Sequence, residues 1–134
     1  MTHPPQNDAR PLILLAEDEA IIALELEDSL KAAGFDIAGP FATCADAERW
    51  LKSGHPTAAV LDSALKDGPC ETLARDLKAR GVPVVIYSGY ARGEDPFLSA
   101  WDGSWLVKPV AFPMLLNALE HEMTGALRHS ILRN

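Results

Sequence analysis

Leu12-Ile13-Leu14-Leu15-Ala16-Glu17-Asp18 is an unbroken apolar run that ends abruptly in two acids. Five consecutive apolar residues suit a strand covered on both faces, as in a parallel sheet. The same pattern recurs along the chain. Ala58–Leu61 leads into Asp62, Val82–Tyr87 into Ser88, and Trp105–Val107 into Lys108-Pro109. Pro83 must sit at the start of its strand, where a missing N–H is tolerated. Phe35–Gly39 alternates apolar and polar residues instead, which suits the edge of a sheet.

Between these runs the apolar period changes from two to that of a helix. Ile22, Leu26, Leu30 and Ala33 fall at i, i+4, i+8 and i+11, and Gly34 supplies a stop. A second helix, capped by Thr43 or Asp46, turns Ala47, Trp50 and Leu51 inward and ends at Gly54. Lys66-Asp67-Gly68-Pro69 reads as a turn, followed by a helix with Leu73, Ala74 and Leu77 inward and Gly81 at its end. From Gly89 to Ser104 no full amphipathic repeat exists, so a short or irregular fourth helix is expected, with Trp101 open to exposure. The last helix begins at Pro113 and carries the stripe Phe112, Leu115, Leu116, Leu119 and Met123; Gly125 ends it or merely weakens it. Strand and helix therefore alternate five times, which predicts a doubly wound α/β sheet of the flavodoxin-like order 2-1-3-4-5 with right-handed crossovers. In domain terms this reads as a flexible leader over 1–10, one folded unit over 11–124, and a helical extension or tail over 125–134.

Composition narrows the function. The net charge of −7 argues against direct nucleic-acid binding, which needs clustered Lys and Arg. No apolar stretch approaches the roughly 18 residues of a membrane span, and no cationic segment leads into a long apolar one at the N-terminus. Cys44 and Cys70 match no metal or redox spacing, so buried, reduced thiols in the cytoplasm are expected. His3, His55, His121 and His129 lack partners at metal-ligand spacing and read as surface residues, and there is no P-loop, GxGxxG or GxSxG.

In the predicted order the first and third strands flank the topological switch point, where such sheets bind ligands at their carboxyl ends. The first delivers Glu17 and Asp18 and the third delivers Asp62. Three acids in one cleft repel unless a cation joins them, and magnesium favours carboxylate, phosphate and water oxygens. A helix-capping role for Glu17 and Asp18 competes with this reading when they are taken alone; Asp62 and Lys108 at the matching strand ends outweigh it. A carboxylate can also serve as a nucleophile that forms an aspartyl phosphate. Lys108 offers a compact cation to a phosphoryl oxygen, and Ser88 one hydrogen bond.

LLAEDE with Glu17 and Asp18, AAVLD ending in Asp62, YSGY with Ser88, and WLVKP with Lys108-Pro109 together resemble a two-component response-regulator receiver domain, from about Pro11 to Met123. The resemblance implies Asp62 as phosphoacceptor and Mg²⁺ held by Glu17, Asp18, Asp62 and the backbone carbonyl of Ala64. It also implies phosphoryl binding by Ser88 and Lys108, a cis bond before Pro109, and Trp105 at the aromatic switch position. The donor would be a phosphohistidine on a sensor histidine kinase or a phosphotransfer protein. Pro83-Val84-Val85-Ile86-Tyr87-Ser88-Gly89-Tyr90 is further similar to the Pro-Phe-x-Phe-Ala-Thr-Gly-Tyr signature of single-domain receivers paired with HWE-type kinases. Pro83, Gly89 and Tyr90 match that signature, Ser88 replaces Thr, and Val84, Ile86 and Tyr87 depart. Leu65-Lys66-Asp67-Gly68 also replaces the family's usual Met-Pro after the acceptor loop, and Trp105 is bulkier than the common Tyr or Phe.

The expectation is a phosphorylation-dependent signalling switch that catalyses only its own phosphorylation and dephosphorylation. Its output is a changed surface that binds a downstream protein, relay of the phosphoryl group, or its dissipation. The exposed face of the fourth-helix region is where a partner or a homodimer would form. Two alternatives compete with it. A Mg²⁺-dependent aspartate-nucleophile phosphatase usually needs a second acid two residues past the nucleophile, where Ala64 stands. An interaction module that is never phosphorylated has no use for the full set Glu17, Asp18, Asp62, Ser88 and Lys108.

Overall fold

The computed structural model describes residues 10–132, with side chains through residue 127. Its main sheet has five parallel strands: β1 (Leu12–Ala16), β2 (Asp36–Phe41), β3 (Ala58–Leu61), β4 (Val84–Ser88) and β5 (Ser104–Val107). They pair in the order β2-β1-β3-β4-β5, as the alternation of runs predicts. Helices α1 (Ala20–Ala32), α2 (Cys44–Leu51), α3 (Glu71–Ala79) and α4 (Phe112–Leu132) connect and cover the strands. The fourth-helix region is reduced to one 3₁₀ turn, Arg92–Glu94. No helix among the described residues is long and apolar enough to cross a membrane.

Strand alternation sends side chains to two separate cores. Ile13, Leu15, Ala58, Val60, Val85 and Tyr87 pack against Leu26 and Leu30 of α1 and Leu115 and Leu119 of α4. Leu14, Ala16, Ala59, Leu61, Val84 and Ile86 pack against Ala47 and Leu51 of α2 and Leu73, Ala74 and Leu77 of α3. Both faces are covered, which is why β1, β3 and β4 need unbroken apolar runs. Leu30, Leu73, Leu77 and Leu119 are fully buried, and each such burial contributes roughly 2 kcal/mol.

Several local expectations are corrected. β2 extends past Gly39 to Phe41, through a cis Gly39–Pro40 bond and a register shift against Leu14 and Ala16. Gly39 sits at φ 104°, and a Cβ there would meet the Leu15 carbonyl at 2.6 Å, so only glycine fits. Ala33 is the exposed C-cap of α1, and Ala23 fills the inward position instead. α2 ends at Leu51, before Gly54, with Thr43 as its N-cap: the Thr43 hydroxyl accepts from the Asp46 N–H. β4 starts at Val84, so Pro83 lies just outside it and offers only its carbonyl, to Ala59 N–H. α4 starts one residue earlier than expected, at Phe112, and continues through Gly125.

Trp101 is buried with Leu98 in the α2/α3 core, because tertiary packing holds a segment that has no helical repeat of its own. Cys44 and Cys70 are not free thiols: they form a disulfide linking the first residue of α2 to the N-cap of α3. Of the leader assigned to residues 1–10, the first nine lie outside the described residues. Arg10 donates to the Lys31, Gly34 and Phe35 carbonyls at the end of α1.

Candidate phosphoacceptor and metal site

Parallel strands end at one edge of the sheet, and ladder-type hydrogen bonds carry that order one residue beyond each strand. Glu17 N–H donates to the Phe41 carbonyl at 2.9 Å, Asp62 N–H to the Ala16 carbonyl at 3.0 Å, and Lys108 N–H to the Ser88 carbonyl at 2.7 Å. The backbone of each polar residue is therefore fixed by its neighbouring strand.

Lys108 is the hub. Its ammonium lies 2.7 Å from a Glu17 oxygen and 2.7 Å from an Asp62 oxygen. It also sits 5.7 Å from the centre of the Tyr87 ring, whose hydroxyl accepts the Val110 N–H. The Lys108–Pro109 bond is cis. Glu17 is 3% exposed, and its second oxygen accepts the Glu19 N–H. Burial pushes the Glu17 carboxyl above its ordinary range, against the lowering pull of Lys108. Burial works to lower Lys108, but the hydrogen bonds that its ammonium donates to Asp62 and Glu17 overcome it and hold it above its ordinary value.

Glu17, Asp18 and Asp62 each place one carboxylate oxygen within 4.8 Å of the others. One lysine cannot balance three carboxylates in so small a volume. The donor set is all oxygen, the kind a hard divalent cation such as Mg²⁺ prefers over softer metals, so these residues fit the metal that the sequence implies. Ala64 follows two residues after Asp62 and is exposed, its N–H 3.5 Å from an Asp62 oxygen.

The remaining site residues form a second, linked group. Ser88 is fully buried, and its hydroxyl lies 2.7 Å from that of Ser63 while accepting the Tyr90 N–H at 3.1 Å. Trp105 is half-buried beside the α2/α3 core, and its indole N–H donates to the Tyr90 carbonyl at 2.8 Å. Tyr90 thus joins the Ser88 hydroxyl to the Trp105 ring through a single residue. The sequence reading missed Ser63, Tyr87 and Asp67. Ser63 was legible in principle: β3 and β4 pair with a constant offset of 25, from Ala59↔Val84 to Leu61↔Ile86, which sets residue 63 opposite residue 88.

No protein-family model matches the chain. It is 25% identical over 112 residues to the transcriptional regulatory protein PdtaR of Mycobacterium tuberculosis, covering 81% of this chain and 54% of that protein. The chain thus spans about half the length of the curated relatives it matches. A response regulator receiver protein from Sinorhizobium medicae WSM419 superposes with a TM-score of 0.77 and 28% identity, over 87% of this chain and 97% of that one. SdrG from Sphingomonas melonis Fr1 superposes with a TM-score of 0.70 and 32% identity, over 83% and 94%. With the sheet order 2-1-3-4-5 and an acid–lysine cluster at its carboxyl edge, these likenesses make the chain a response-regulator receiver domain of the CheY-like kind.

Proposed function

We propose that this receiver domain is a phosphorylation switch of a two-component system, with Asp62 as the phosphoacceptor. One observation carries the reading: Lys108 is clamped between Glu17 and Asp62 at the edge where three carboxylate oxygens gather within 4.8 Å. Glu17, Asp18, Asp62 and the Ala64 carbonyl would hold Mg²⁺, which when bound supplies charge neutralisation for the phosphoryl oxygens. A free Asp62 oxygen attacks phosphorus, and the P–N bond of a phosphohistidine breaks. The electron pair stays on the imidazole nitrogen of the histidine kinase or phosphotransfer protein. Phosphoryl transfer passes through a loose transition state that needs positioning and charge more than covalent help. Lys108, already seated on Asp62, meets an equatorial oxygen without reorganisation.

The added charge then competes for the Ser88 hydroxyl, and a hydrogen bond from Ser88 to the phosphoryl group draws its loop inward. Tyr90 moves with that loop, and through its carbonyl so does Trp105 in its role as aromatic switch. The output surface is the 89–107 region, which then favours a different protein partner. The segment Pro83–Tyr90 and the collapse of the fourth helix to one turn support pairing with an HWE-type kinase.

The test is incubation with acetyl phosphate, with and without Mg²⁺, read by intact mass beside Asp62→Asn. The expected result is a Mg²⁺-dependent phosphoryl adduct that Asp62→Asn lacks. Turnover of exogenous phosphate esters without an adduct would overturn the switch in favour of a phosphatase.

A further inference from the structure

We propose that Ser63 is a positioning residue, a latch that holds the Ser88 hydroxyl in the resting arrangement and sets how readily the switch responds. The inference rests on the phosphorylation reading above.

The strand register creates the pair. β3 and β4 are parallel with an offset of 25, and Ala59, Leu61, Val84 and Ile86 all face the α2/α3 core. Side chains alternate along a strand, so residues 63 and 88 continue that same row at the carboxyl edge of the sheet. Where the row below is apolar, it ends in two facing hydroxyls. Ser63 is 2% exposed and Ser88 fully buried, their oxygens 2.7 Å apart. Cys70 N–H donates to the Ser63 carbonyl, so the backbone that carries this hydroxyl belongs to the loop between Asp62 and α3.

The hydrogen bonds define the latch. Ser88 Oγ accepts from the Tyr90 N–H and shares one bond with Ser63. Among the described residues Ser63 Oγ has Ser88 as its hydrogen-bond partner and no other. If Ser88 leaves to donate to a phosphoryl oxygen, the Ser63 hydroxyl remains buried and unpaired. A buried polar group without a partner is unfavourable, so the Ser63 hydroxyl weights the balance toward rest. Removing it removes that weight, while Ser88 keeps its own proton for the phosphoryl group. The consequence reaches the surface, because Ser88 holds the Tyr90 N–H and Trp105 holds the Tyr90 carbonyl.

The test compares wild type, Ser63→Ala and Ser63→Thr, the last keeping the hydroxyl. Two readouts are taken: the Trp105 indole and Tyr90 amide resonances of the metal-free, unphosphorylated protein, and phosphoryl occupancy at sub-saturating acetyl phosphate with Mg²⁺. Ser63→Ala should shift both resonances toward their positions in phosphorylated wild type and raise occupancy several-fold, up to about tenfold, the ratio expected for the net contribution of one buried hydrogen bond. Ser63→Thr should return both readouts toward wild type. If Ser63→Ala matches wild type in resonances and occupancy while wild type takes up the phosphoryl group, the latch is overturned and the switch stands. If wild type takes up no phosphoryl group, the switch reading fails and the latch falls with it.

Discussion

Two loops flank the site, and they are built to opposite ends. Residues 62–70, the loop that begins at Asp62, are tied down from several directions. The Asp67 carboxylate accepts both the Cys44 and Ala45 N–H groups at the start of α2, and Lys66 N–H donates to the Ala42 carbonyl. A short antiparallel ladder, Ala64–Leu65 with Gly68–Pro69, closes the loop on itself, and the Cys44–Cys70 disulfide fixes its far end. Residues 89–103 have one 3₁₀ turn and two buried apolar anchors, Leu98 and Trp101. There Arg92 Nε and Trp101 Nε1 are buried without a hydrogen-bond partner among the described residues, and each such group costs on the order of 1–3 kcal/mol. Tyr90 and Phe97 stand exposed. The loop after Asp62 is thus tied to a neighbouring helix. Residues 89–103 are held mostly by bonds within the segment itself, such as the Phe97 and Leu98 N–H groups on the buried Asp95 carboxylate and Arg92 on the Gly103 carbonyl, and they carry the unpaired donors.

The sharpest way to break this contrast is to truncate one anchor on each side. Leu73→Ala, in the helix that follows the fixed loop, should lower global stability by about 3 kcal/mol. Leu98→Ala should lower it by less than half as much, because the loss is capped by the energy that docks its segment. Equal shifts in the urea midpoint would show that both loops belong to one cooperative unit.

Reducing the disulfide tests the fixed side directly. Its cysteines are 26 residues apart, and opening a ring of that size should cost about 3.5 kcal/mol by the chain-entropy account. The reduced protein should unfold at lower urea, and amide exchange should accelerate across 62–70. No change in either would mean the other ties suffice.

On the reporting side, Trp105→Phe removes one hydrogen bond to Tyr90 and should cost about 1 kcal/mol. Exchange should rise at residues 89–91 and remain unchanged at 64–69.

The smallest expected effect is at Asp67. The Cys44 and Ala45 N–H groups hold its carboxyl below the ordinary aspartate range. Its folded value is therefore lower than its unfolded one, so its stabilising contribution is complete at neutral pH and fades as pH falls below about 4. Asp67→Ala should cost about 0.5–1 kcal/mol at pH 7, modest because the group is exposed. The gap from wild type should narrow by about pH 3; a constant gap would deny the carboxylate its capping role.

Much of this architecture was legible in the chain because the rules it obeys are local. β1, β3 and β4 announce themselves as covered strands, and the acids and lysine follow them directly. Leu73, Ala74 and Leu77 fall on the helical period that buries them. What escaped notice depends on distance. Ser63 gains meaning only through a register with Ser88, Asp67 only through a helix end 23 residues earlier, and Cys44 only through Cys70. Trp101 looked open because its segment lacks a repeat, and its burial comes from the sheet beneath it. The true end of β2 lies beyond the alternating run Phe35–Gly39, because the strand continues through Pro40 to Phe41 where a glycine fits against the Leu15 carbonyl.

The central claim is that Asp62 carries the phosphoryl group, and chemical trapping at that residue tests it most directly. After incubation with acetyl phosphate and Mg²⁺, borohydride reduces an acyl phosphate to the corresponding alcohol. Peptide mapping should then find residue 62 converted to homoserine, with Glu17 and Asp18 unchanged. Conversion at Glu17 or Asp18, or none at residue 62 in protein that bears the phosphoryl mass, would contradict the account.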